Sequence, residues 1–252
     1  MIPIRDENPT INLPIATYVI IGMNVVVWLT VQGFGSTYSL AESLCYYALI
    51  PGDLLGSVGA TEIAVADNLT CSINGRGELS TLVSSMFMHG GWLHIIGNML
   101  FLWVFGDNVE DIMGPFRFAC FYLLCGLAAA VAQILNDPSS LVPMVGASGA
   151  IGGVMGAYAI MFPRARVHML IILVIYITTL SVPAILMLGY WFLLQLLSGL
   201  TSSTESGGGV AFWAHIGGFV AGIALVFAFR DPQLIAARRH ITPRRPARHS
   251  WF

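Results

Sequence analysis

The chain has 252 residues, 56% of them hydrophobic and 10% charged, far below the roughly 25% charged residues of a soluble domain. That excludes an ordinary soluble domain and indicates an integral membrane protein, because several apolar stretches approach the ~20 residues needed to span a bilayer. The net charge is −2 and all 11 basic residues are arginine, so the placement of charge carries more than its sum, and no nucleic acid is expected as a partner.

In chain order, Met1–Pro14 carries Arg5, Asp6 and Glu7 and leads into the first apolar run, Ile15 to Gly33. No small-residue cleavage pattern follows that run, so it is expected to stay as a span. Gly35 to about Leu82 is a long loop with acids at Glu42, Asp53, Glu62, Asp67 and Glu78, opposed only by Arg76. Within it, Tyr46–Pro51 and Leu54-Leu55 are expected to form a short helix lying in the interface. Cys45 and Cys71 flank this polar loop; they either pair, if it faces an oxidising compartment, or remain free thiols.

The second span runs from Trp92 to Val109 and is closed by Asp107-Asn108-Val109-Glu110-Asp111; the third runs from Phe116 to Leu135. Cys120 and Cys125, within that third span, read as packing residues. Asn136-Asp137-Pro138-Ser139-Ser140 is a turn. The fourth span starts near Ser148 and stops at Pro163. Val167–Gly199 is too long for one straight span, and Pro183 divides it into a lead-in along the interface and a fifth span from about Val182 to Leu197. A Ser/Gly loop, Thr201–Gly209, precedes the sixth span, Val210 to Phe229.

The expected architecture is an all-α integral membrane protein: a six-helix membrane domain over residues 1–230 and a basic, disordered tail over 231–252. Arg117 lies between spans two and three, Arg164 and Arg166 follow span four, and Arg238, Arg239, Arg244, Arg245 and Arg248 follow span six. The loops after spans one, three and five hold only Arg76. The positive-inside rule therefore puts both termini in the cytoplasm, with the chain as a multi-pass protein of the cell membrane. Spans two, four and six then all enter from the outer side. Ser148 and His94 lie near the starts of their spans, and His215 lies about five residues in, ~7–8 Å of rise. Three polar residues from three spans share one depth.

Gly146-Ala147-Ser148-Gly149-Ala150 places a serine between glycines at the start of an apolar helix. The glycines permit a tight turn into the helix, and the new helix end leaves backbone N–H groups free to hold an oxyanion. A membrane serine is more often structural, bonding a carbonyl one turn back. His215 in Ala214-His215-Ile216-Gly217-Gly218 supplies the matching base, since an ionisable residue within a span is costly and a functional candidate. Gly149 with Gly153, and Gly218 with Gly222, form small-residue faces that let two helices approach closely, as a Ser–His hydrogen bond between helices requires. His94 and Asn98 share one face of span two and are candidate oxyanion donors, or else an interhelical polar clamp. His89 lies off that face and is read as a structural group of the loop. A zinc protease would need HExxH, which His89-Gly90-Gly91-Trp92-Leu93-His94 lacks, and no span interior holds the paired aspartates of an aspartyl protease.

These motifs, with Gly106-Asp107-Asn108-Val109-Glu110-Asp111 and the run from Ala214 to Gly222, resemble the rhomboid family of intramembrane serine proteases. The resemblance implies a six-helix bundle whose cavity opens to the extracytoplasmic side. It implies Ser148 as nucleophile and His215 as base, without a third acid. An oxyanion hole would be formed by His94, Asn98 and the Ser148 N–H. It implies single-span membrane proteins as substrates, and neither a metal nor a cofactor. The alternatives are a catalytically silent binder of membrane helices on the same scaffold, or a small-molecule transporter. Two departures stand out. The Trp-Arg pair of many members is replaced near Leu79-Ser80-Thr81. The aromatic that stacks on the histidine in many members, four residues after the serine, is here Gly152. Span five and the Thr201–Gly209 loop are the candidate lateral gate and cap.

Overall fold

A computed structural model describes residues 2–66, 69–173, 176–201 and 210–238. In chain order it contains β1 (Ile2–Asp6), α1 (Ile15–Thr30), α2 (Thr37–Tyr47), α3 (Pro51–Leu54), β2 (Thr61–Ala66), β3 (Leu69–Ile73) and α4 (Thr81–Ser84). There follow α5 (Trp92–Met113), α6 (Pro115–Asn136), α7 (Ser148–Met161), β4 (Arg166–Leu173), β5 (Tyr176–Pro183), α8 (Ala184–Thr201), α9 (Phe212–Phe229) and α10 (Pro232–Arg238). Helices α6, α8 and α9 are long and apolar enough to cross a bilayer, and α1 and α7 are shorter apolar helices. The chain is a mostly helical, multi-pass membrane protein.

Local signals set the helix ends. Gly114, at φ 77°, closes α5 in a conformation that a Cβ would strain, and Pro115 opens α6 with its φ already helical. Helix α7 stops before Pro163, and α8 starts after Pro183.

Helix α7 sits at the centre, packed on α9, α6 and α5. Its own Tyr158 is fully buried, as are Phe105 of α5 and Phe118, Phe121 and Tyr122 of α6. The α7–α9 contact is made backbone against backbone. A Cβ on Gly218 would lie 1.9 Å from the Gly149 carbonyl oxygen, and one on Gly222 would lie 1.9 Å from that of Gly153. No side chain fits at either distance. These glycines set how deeply the first turns of the two helices approach each other.

The fold departs from the expected architecture in three places. First, the lead-in before Pro183 is not helical: β4 pairs antiparallel with β5, from Arg166 opposite Pro183 onward, and β1 pairs with the other edge of β4. The run is rich in β-branched and aliphatic residues, and its start alternates buried Val167 and Met169 with less buried His168 and Leu170, the period of a strand. Second, the short helix expected over Tyr46–Pro51 and Leu54-Leu55 is split: Tyr46 and Tyr47 end α2, Ala48 is extended, Leu49 bridges Met144, and Pro51–Leu54 form α3. Strands β2 and β3 form a hairpin, and a Cys45–Cys71 disulfide ties β3 to α2, with the Cα atoms 5.3 Å apart. Third, the stretch assigned to the tail begins with α10, whose Arg238 is buried. Arg239, Arg244, Arg245 and Arg248 lie outside the described residues, as does nearly all of the Ser/Gly loop expected as a cap.

Arg238 closes a polar network at one end of the bundle that ties α10 to the segment between β1 and α1 and to α5. It donates to Asp111 at 2.5 Å, to Asn108 and Pro9 O at 2.9 Å and to Asn8 at 3.0 Å. Asp111 also accepts from the Ile11 and Asn12 backbone N–H groups. Glu110 accepts from the Ala16 and Thr17 N–H groups and the Thr17 hydroxyl, each at 2.8 Å, and so caps α1 from another helix. Asp6 accepts from Tyr158 and Asn108. Burial pushes the Asp6 carboxyl above its ordinary range, while the Tyr158 hydrogen bond opposes that shift.

Candidate active site

The serine is placed by a turn that only glycine makes easily. Gly146 has φ 123° and donates its N–H to Ser85 O at 2.9 Å; two residues later Ser148 begins α7. Starting a helix there leaves first-turn N–H groups, that of Ser148 included, without helical acceptors. His215 sits in the first turn of α9. Gln133 of α6 holds that turn by accepting from the Ala214 N–H at 3.2 Å.

Across the α7–α9 seam, Ser148 Oγ and His215 Nε2 are 2.7 Å apart. On the other side of the ring, His215 Nδ1 is 2.8 Å from Gln195 Oε1 of α8. A carbonyl oxygen only accepts, so Nδ1 carries the proton and Nε2 presents its lone pair to the serine hydroxyl. That is the tautomer able to take a proton from Ser148. Trp191, one turn before Gln195, tilts its ring over His215 at a centroid distance of 5.9 Å.

Ser148 and His215 line a cavity of about 1080 Å³, together with His94, Asn98, Phe101 and Trp213. His94 Nδ1 accepts from the Gly90 N–H at 3.2 Å, so its Nε2 carries the hydrogen. A Cβ on Gly146 would lie 2.7 Å from His94 Nε2 and 3.5 Å from Ser148 Oγ. The missing side chain thus brings the two polar groups to the same corner. Asn98 is buried, and its Nδ2 has no hydrogen-bond partner among the described residues. Buried donors are rarely left unpaired, and this one belongs to a residue that lines the cavity with Ser148.

His94 is backed by His89, whose ring meets it edge-on at 5.2 Å. Gln32, at the end of α1, grips the His89 backbone twice, accepting from its N–H and donating to its carbonyl, each at 2.8 Å. Burial, with His94 adding to it, lowers His89 to about 3, so this imidazole is neutral. His168 lies at the opposite end of the bundle, 2.7 Å from Glu7.

The structure thus brings Ser148, His215, His94 and Asn98 to one cavity, with Gly149, Gly153, Gly218 and Gly222 in the seam beneath. Sequence reasoning missed the three glutamines that hold this arrangement: Gln32, Gln133 and Gln195. Their only signal was a lone amide in or beside an apolar run. Gly152 also has a physical reading. A Cβ there would lie 3.1 Å from His215 O, so an aromatic at this position would need α9 to stand further away. Here the ring is contacted from α8 instead.

Comparison with known proteins places this arrangement in context. The family model described as "Rhomboid domain" matches residues 76–232, a segment that includes every residue of the cavity corner. The chain is 31% identical over 160 residues to "RHOMBOID-like protein 5" of Arabidopsis thaliana, covering 60% of this chain and 44% of that protein. It is 33% identical over 154 residues to "Rhomboid protease GluP" of Bacillus subtilis (strain 168), covering 61% and 27%. It is 27% identical over 149 residues to "Rhomboid protein 1, mitochondrial" of Saccharomyces cerevisiae (strain ATCC 204508 / S288c), covering 57% and 40%. The matched segment spans less than half the length of each of these relatives.

Proposed function

The chain belongs to the rhomboid family, and from that premise and the geometry of the cavity we propose that it is an intramembrane serine endopeptidase. The observation that carries the reading is the Ser148–His215 hydrogen bond, made between two membrane helices at the wall of a cavity. A structural serine would satisfy itself within its own helix; this one is turned to a base on another.

In the proposed reaction His215 Nε2 takes the Ser148 proton as Oγ attacks the scissile carbonyl. The His94 Nε2–H, the Asn98 Nδ2 and the Ser148 N–H hold the resulting oxyanion. His215 then gives its proton to the leaving amine, and water releases the acyl group by the same steps in reverse. No metal or cofactor enters. The substrates are single-span membrane proteins, cut in or beside the transmembrane helix.

The proposed topology has six spans, α1 and α5 to α9, with both termini cytoplasmic and the cavity opening to the extracytoplasmic side of the cell membrane; the arginine distribution supports it. Helix α8 is the proposed lateral gate. It rests on α7 and α9, and among the described residues it scarcely touches α5. Phe101 and Asn98 of α5 and Trp191 of α8 line the same cavity, so separation of the two helices would open it to lipid.

The test is cleavage of a transmembrane substrate in proteoliposomes. The expected result is cleavage by the wild type and loss of it by several orders of magnitude in Ser148→Ala, with no solute flux in either. A folded wild type that cleaves no membrane substrate would favour a silent helix binder, and flux that survives Ser148→Ala would favour a transporter.

A further inference from the structure

We infer that Gln195 of α8 is a positioning residue for His215: it selects the reactive tautomer and fixes the ring over Ser148. The inference rests on the protease reading of the Ser148–His215 pair. Three observations carry it.

The first is chemical. In a neutral imidazole one nitrogen donates and the other accepts, and the choice is set by whatever the far nitrogen meets. Here the far nitrogen meets the Gln195 carbonyl oxygen at 2.8 Å, and the near one meets Ser148 at 2.7 Å. Without Gln195, the Nε2–H tautomer becomes accessible, and it cannot accept the serine proton.

The second is the way the sequence delivers this amide. Leu188, Trp191, Gln195 and Gly199 are three or four residues apart and so share one face of α8. Leu188 and Gly199 are buried, while Leu186, Tyr190, Leu193 and Leu197 on the remaining surface are exposed. Phe192 stacks on Phe219 of α9 at 4.8 Å, and Trp191 contacts Phe219 at 6.0 Å and His215 at 5.9 Å. The aromatic pair sets the register of α8 against α9, and the register brings Gln195 to Nδ1. Gln195 is the one amide in the apolar run Ala184–Thr201, where an unpaired polar group would be costly.

The third is the absence of a competitor on α7. Gly152 meets the His215 backbone rather than its ring. Among the described contacts, the imidazole is held by Ser148, Gln195 and Trp191.

The experiment compares wild type, Gln195→Met, Gln195→Glu and Ser148→Ala in proteoliposomes. It reads the rate of Ser148 labelling by a small fluorophosphonate, and kcat and KM for a transmembrane substrate. Gln195→Met keeps the length of the side chain and loses the acceptor. It is expected to label and turn over about 10- to 100-fold more slowly, the usual range for losing a residue that orients a functional histidine, with KM unchanged. Gln195→Glu restores an acceptor and is expected to label at least about tenfold faster than Gln195→Met. A residue that only packs or gates would change KM and leave small-probe labelling at the wild-type rate; that result, or a Glu variant as slow as the Met variant, overturns the inference. A wild type that does not label overturns the protease reading and this inference with it. A second measurement needs no change at Gln195: histidine ¹⁵N shifts of the wild type, assigned with His215→Ala, should report an Nδ1–H tautomer at neutral pH. An Nε2–H tautomer would overturn the inference even if Gln195→Met failed to fold.

Discussion

The two ends of this helix bundle use the same polar chemistry to opposite ends. Around Arg238, the groups Asp111, Asn108, Glu110, Asp6 and Tyr158 spend their hydrogen bonds on one another and on nearby backbone, and among the described residues only the Asn8 Nδ2 beside them is left open. Around Ser148 the groups are spaced along a cavity, and Asn98 keeps a buried donor without a partner among the described residues. Buried polar groups that satisfy one another hold a fold, whereas Asn98 combines an open donor with a place on the cavity wall beside Ser148. Activity and stability should therefore respond oppositely to substitutions at the two ends.

The largest expected effect is on stability, at the Arg238 end. Arg238→Ala leaves Asp111 buried without its cation, and breaking a buried pair typically costs about 3–5 kcal/mol. Thermal unfolding in detergent should show a large drop, while the turnover of the remaining folded protein stays within about twofold of wild type, since independent sites act separately. An equal loss of turnover in folded protein would show that the two ends are not independent.

Asn98→Ala sharpens the contrast from the other side. Removing one oxyanion donor costs about 2.7–4 kcal/mol of barrier, a 10²–10³-fold fall in kcat, while stability holds or rises because an unpaired buried group is lost. A destabilised variant with normal kcat would make Asn98 an interhelical clamp.

The smallest effect is a pH dependence. His89 is lowered from 6.5 to about 3, so the folded chain keeps it neutral while the unfolded chain protonates it below about 6.5. Its contribution is complete above that pH and is lost as pH falls from about 6.5 towards about 3, at a slope of at most roughly 1.4 kcal/mol per pH unit. Unfolding profiles of wild type and His89→Phe over this range should diverge on acidification, with the substituted protein the flatter of the two. Parallel profiles would show that His89 titrates alike folded and unfolded.

What the sequence revealed divides along similar lines. Apolar runs and their breakers made the long helices legible: α6 spans Pro115–Asn136 against an expected Phe116–Leu135, because composition and Pro/Gly punctuation act locally. The strands were less legible. In a chain this apolar, the alternation of Val167 and Met169 with their neighbours is drowned by hydrophobicity on both faces, and the pairing of β1 with β4 joins residues far apart in sequence. At the site, Ser148, His215, His94 and Asn98 stood out by residue type and flanking glycines. Gln195, Gln133 and Gln32 did not, because an amide has no periodic signature and its role depends on which distant atom it meets. Arg238 falls in the stretch expected to be a disordered tail because its partners, Asp111 and Asn108, lie more than a hundred residues away.

The most direct test of the central claim is fluorophosphonate labelling in lipid, with the modified residue located by mass spectrometry. The account predicts one adduct, on Ser148, formed by the wild type, absent from Ser148→Ala and slowed by about 10²–10⁴-fold in His215→Ala, the usual worth of a general base. A folded protein that forms no adduct, or forms it as fast without His215, would contradict it.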